Sequence, residues 1–110
     1  MDFTDPFPGV GQRRLSHADL MTAIRLDMAA ELDAISLYQA HMEATEHPIA
    51  RQMLQHIMDE EKRHLEEFAQ ILYMLDPYQA DSVGHAQLEL IEEGGTPADI
   101  GMEPPEAKAA

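Results

Sequence analysis

Thr45-Glu46-His47-Pro48 separates two long runs of helical periodicity. Proline lacks the amide that a helix interior needs, but its fixed φ suits the first helical position, so Pro48 predicts a helix start. Upstream, no Pro or Gly occurs back to Ser16. Leu20, Ile24, Met28, Ile35, Tyr38 and Met42 fall on one helical face of that run. Ser16 followed by Asp19 resembles a capping box, with Asp replacing the usual Glu, and places the helix start. Downstream, the second run reaches about Asp76, where Pro77 stops it. Its stripe is Leu54, Ile57, Met58, Leu65, Phe68, Ile71, Leu72 and Leu75. Two helices of about 30 residues, each roughly 45 Å long and joined by a short link, predict an antiparallel hairpin.

Further outward, residues 82–93 read as a short third helix. Pro6, Pro8, Gly9 and Gly11 mark residues 1–15 as an irregular lead-in. Beyond Gly94-Gly95 the Pro-, Ala- and Glu-rich residues 94–110 read as a flexible tail. The helical part is therefore residues 16–93.

The 110 residues carry 21 Asp and Glu against seven Lys and Arg, a formal charge of −14. Phosphate repels such a surface, which excludes nucleic acid as an expected partner, whereas cations are attracted to it. Without cysteine there are no disulfides and no thiolate metal sites. No apolar run approaches the roughly 20 residues of a membrane span. Met1-Asp2-Phe3-Thr4-Asp5 lacks the basic start of a signal peptide, so a cytoplasmic location is expected. With 5% aromatic residues and no Trp, a lone hairpin builds little core. Chains this small need a staple, and here metal and oligomerisation remain. The economical solution is a two-fold dimer forming a four-helix bundle.

Three polar residues interrupt the apolar stripes. Glu31 lies three residues after Met28 and four before Ile35. Glu61 lies four after Ile57 and four before Leu65, and His64 is one turn on. A buried unpaired carboxylate costs several kcal/mol, so these groups must be paired, protonated or bound to metal. Glu31 is 14 residues before Thr45, and Glu61 is 14 after His47, so an antiparallel hairpin sets them at one height. Each chain then offers one Glu from the first helix and a Glu-x-x-His from the second. The carboxylate-bridged di-iron sites of ferritin-like bundles use that set twice, which a dimer supplies. Carboxylates neutralise two cations, imidazole completes each shell, and open positions admit an oxidant. Two other readings stand beside it. One is a non-enzymatic helical oligomerisation module in which the three residues form a polar registry network. The other keeps the metal, as a structural Zn or Mn clamp of the dimer or as a rubrerythrin-like peroxidase centre. Glu60, Arg63 and Glu67, at i, i+3 and i+7, read as an outward charged ridge.

The run Ala30-Glu31-Leu32-Asp33-Ala34-Ile35-Ser36-Leu37-Tyr38, with Asp59-Glu60-Glu61-Lys62-Arg63-His64 about thirty residues on, resembles the encapsulated ferritin-like proteins over roughly residues 16–93. These are half-length ferritin homologues associated with encapsulin nanocompartments. The resemblance implies an all-α two-helix hairpin with a short C-terminal helix, dimers joined through iron, and a ring-like decamer. It implies a di-iron ferroxidase centre that oxidises Fe(II) to Fe(III) for a surrounding encapsulin shell. Carried over, Glu31, Glu61 and His64 are the expected iron ligands, and Tyr38 a neighbour of the centre. Two positions depart from the pattern. Ala30 and Asp33 stand where many members carry carboxylates of an outer cation site, which reduces that site or removes it. The tail shows no clear copy of a Gly-, Leu- and Ser-rich targeting peptide, and Asp99-Ile100-Gly101-Met102 is its nearest echo.

Overall fold

The computed structural model describes residues 14–101; the first 13 positions of the expected lead-in and the last nine of the expected tail lie outside that range. Helix α1 spans His17–Ala44, α2 Pro48–Leu75 and α3 Pro77–Glu92, followed by a 3-10 turn at Pro97–Ile100. No strand occurs among the described residues. The chain divides into two compact units, with α1 and α2 in the first and α3 and the 3-10 turn in the second.

Each end of α1 is explained by a side chain. Ser16 is its N-cap, and its hydroxyl accepts from the Asp19 amide at 3.0 Å, which satisfies one of the first-turn donors. At the other end Arg51, in the first turn of α2, donates from Nη1 to the carbonyls of Met42 (3.0 Å) and Thr45 (3.1 Å). A cation thus sits where the α1 dipole is negative and holds the α1 terminus to α2. His47 Nδ1 accepts from the Ala50 amide at 3.3 Å, so this residue of the break acts as a cap for α2. The open end of the hairpin is tied as well: His17 Nε2–H donates to the Leu75 carbonyl at 2.8 Å. First residue of α1 against last residue of α2 is the register of an antiparallel pair, with 28 residues in each helix.

The stripes read from the sequence meet along this pair, but they enclose little. Among the described residues the buried apolar side chains are Ile24, Met58, Ala69 and Leu72, with Met58 only 1% exposed. Both helices also carry large apolar residues outward: Leu26, Leu32 and Leu37 on α1, and Ile49, Met53 and Met74 on α2.

In the second unit the third helix starts at Pro77, five residues before the expected position 82. Pro77 stops one helix and opens the next: Asp76 is the N-cap, its carboxylate accepting from the Gln79 amide at 3.2 Å, and proline follows at the first position. The helix ends in a Schellman motif. Gly94 donates to the Ile91 carbonyl at 3.0 Å and Gly95 to that of Leu90 at 2.9 Å. Gly94 has φ of 104°, a conformation that side-chain-bearing residues avoid. The first part of the expected flexible tail is ordered into the 3-10 turn, because Asp99 accepts from both the amide (2.6 Å) and the hydroxyl (3.0 Å) of Thr96. Among the described residues, no helix is long and apolar enough to cross a membrane.

Candidate metal centre

Halfway along α1, Glu31 is half-buried, and across from it α2 presents Glu61 and His64 from successive turns. One ligand atom from each of the three lies within 4.8 Å of the others. Counting from the hairpin turn therefore brings together the residues it was expected to bring together. Glu61 is shielded, its side chain 21% exposed, whereas that of His64 is 48% exposed. His64 Nδ1 and Glu61 Oε2 are 3.7 Å apart, too far for a hydrogen bond, so neither atom is committed to the other. A cavity of about 320 Å³ adjoins the group, lined by Glu31, His64, Glu67, Phe68 and Ile71.

Two carboxylates and an imidazole form an oxygen and nitrogen donor set, which suits Fe(II), Mn(II) or Zn(II). The spacing fits one cation held between the three. Among the described residues neither Lys nor Arg pairs with Glu31 or Glu61, so no Lys or Arg charge competes with a cation there. Three donors from one chain leave coordination positions for water, a substrate or groups from a second chain.

Other residues singled out from the sequence fall elsewhere. Tyr38 is half-buried two turns beyond Glu31 and does not line the cavity. Ala30 and Asp33 are exposed. Near the hairpin turn, Glu43 is engaged by Gln39 at 2.7 Å and His47 serves the α2 cap. His56 and Glu60 are exposed and pair at 2.8 Å. Glu67 was the residue missed. It is exposed, as a ridge residue should be, yet it also lines the cavity beside His64. The available signal was its position, three residues after His64 and four before Ile71, at the margin of the stripe.

Helical hairpin and carboxylate–histidine group together define a ferritin-like protein. The family model for ubiquinone biosynthesis protein COQ7 matches residues 18–77. The encapsulin nanocompartment cargo protein EncC of Myxococcus xanthus is 45% identical over 80 residues, covering 73% of this chain and 62% of that protein. Its counterpart EncB is 35% identical over 100 residues, covering 86% of this chain and 61% of its own length. The chain thus spans about three fifths of the length of these two relatives. The crystal structure of the encapsulated ferritin domain from Pyrococcus furiosus superposes with a TM-score of 0.76 at 33% identity, covering 84% of this chain and 94% of that one. This chain belongs to the encapsulated ferritin-like proteins, a branch of the ferritin-like group that the COQ7 match also reflects.

Proposed function

We propose that this protein is a ferroxidase: two copies of the chain build a di-iron centre from Glu31, Glu61 and His64 of each, and oxidise Fe(II) to Fe(III). The observation that carries the reading is the convergence of the three ligand atoms within 4.8 Å, on two helices, beside an open cavity. Iron is the substrate. Each Fe(II) gives up one electron to an oxygen-derived oxidant, and the carboxylates favour the product, because anionic oxygen donors bind the harder Fe(III) more strongly. Glu61 is shielded enough that its charge is little screened, which suits a ligand between two cations. Tyr38, half-buried two turns along α1 from Glu31, would be a neighbour of the centre only in the assembled dimer.

Assembly follows from the same surface. Exposed Met53 and Met74 on α2, like Leu26 and Leu37 on α1, are apolar side chains that a second copy would remove from water. A dimer completes the centre, and further contacts between dimers form a ring-like decamer. The named relatives are encapsulin cargo, so we assign the protein to the interior of an encapsulin shell, where iron storage or detoxification takes place. The polar registry network accounts less well for the geometry. Such a network needs its members hydrogen-bonded, and the Glu61–His64 pair stands at 3.7 Å.

Absorbance of Fe(III) after addition of Fe(II) in air tests the activity. Glu61→Ala is expected to abolish the protein-dependent rate, and His64→Ala to lower it. Parental rates in both variants would remove the assignment of the centre.

A further inference from the structure

Two acids on the site-bearing stretch of α2 are engaged and a third stands beside an imidazole. Asp59 pairs with Lys62 at 4.0 Å and accepts from Gln55 at 3.1 Å, Glu60 pairs with His56, and Glu61 faces His64. Glu66 and Glu67 have no hydrogen bond or ion pair among the described residues and both are exposed, but only Glu67 lines the same cavity as Glu31 and His64. The other lining side chains, Phe68 and Ile71, are apolar, and no Lys or Arg lines the cavity. A cation in this space therefore meets carboxylate charge at its exposed margin and ligand atoms further in.

We infer that Glu67 is an entry carboxylate for divalent cations, a role that rests on the proposed metal centre and deepens it. A hydrated divalent ion holds its water tightly, so a solvent-exposed carboxylate first engages it through that water. The apolar walls offer the ion no competing partner, and the path leads to Glu31 and His64, where water is exchanged for protein ligands. No bond within the protein changes and no electron moves in this step. Glu67 raises the local cation concentration at the mouth; it does not hold the ion in the centre.

The test uses the whole protein without oxygen, with Co(II) as the probe because its visible absorption reports ligation. Stopped-flow loading is compared for the parent, Glu67→Gln, Glu66→Gln and Glu61→Ala. Glu66 is exposed on α2 and does not line the cavity, so its variant carries the same charge change in a different place. At low ionic strength Glu67→Gln is expected to load roughly three- to tenfold more slowly than the parent. Its final metal content should match the parent, and the rate difference should shrink as salt shortens the Debye length. Glu66→Gln should load at the parental rate. Equal rates for Glu67→Gln and Glu66→Gln overturn the entry role, and a lower final metal content in Glu67→Gln overturns it in favour of direct ligation. Glu61→Ala separates the two levels. If it loses metal while the two Gln variants behave alike, only the entry role fails. If it takes up the parental complement, the centre fails and the entry role with it.

Discussion

Glu31, Glu61 and His64 show how far single residues can be read. Each breaks an apolar stripe: Glu31 stands between Met28 and Ile35, Glu61 between Ile57 and Leu65, and His64 one turn before Phe68. A helix of 3.6 residues per turn leaves little choice of direction for residues so placed. Equal counts from the turn then set their heights. The acid–amide geometry at Asp99 gives a prediction at this scale. Its carboxyl is held below the ordinary carboxylate range, first by the Thr96 amide and then by the Thr96 hydroxyl. A lowered folded-state value means that the turn gains stability above the unfolded-state value and loses it as pH falls through the folded one. The Thr96 amide resonance, followed by NMR on acidification, should shift with a midpoint below that of a free aspartate, and Asp99→Asn should remove the transition. A midpoint at the free-aspartate position contradicts the assignment. Glu67 was less legible than the three centre residues because it stands at the edge of the stripe. There the periodicity fits both a solvated ridge and a cavity wall, and only the neighbouring side chains decide between them.

Among the elements, α1 and α2 were legible nearly to the residue because their ends carry strong local chemistry: Ser16 before α1 and Pro48 opening α2. The third helix was legible only in part. Asp76-Pro77 is both a stop and a start, and reading it as a stop hid the first five residues of α3. The turn at Pro97–Ile100 was hidden by composition, since one Thr–Asp pair orders a stretch that is otherwise Pro- and Ala-rich. Met58 is the most buried large side chain of α2. Met58→Ala should cost about 2–5 kcal/mol, read as a lower denaturant midpoint with an unchanged slope. A loss below about 0.5 kcal/mol, the usual range for surface sites, would mean that the helix interface is not where the structure puts it. Gly84 is an interior residue of α3, and a β-carbon built there meets nothing within 4 Å. Gly84→Ala should therefore stabilise α3 by roughly 0.5–1 kcal/mol, since it removes backbone freedom from the unfolded chain. Slower exchange of the α3 amides is the expected readout, and faster exchange would contradict the open environment.

At the scale of the whole molecule, the chain carries a hairpin with four buried apolar residues, exposed Leu, Ile and Met side chains, and a Glu–Glu–His group that could hold a metal ion. Each feature alone has an ordinary explanation: small domains have thin cores, and single exposed apolar residues are common. In the function proposed above, a second copy completes both the core and the centre, which would link folding to metal by mass action. The acidic charge of −14 opposes that association until cations offset it. The measurement that tests this most directly is native mass spectrometry of metal-free protein titrated with Fe(II) in the absence of oxygen, with Glu61→Ala alongside. The account predicts two irons for every two chains, with dimers and larger assemblies growing as iron is added, and neither change in Glu61→Ala. Assemblies already complete without metal, taking up no iron, would contradict it and leave the three stripe-facing residues as a structural network.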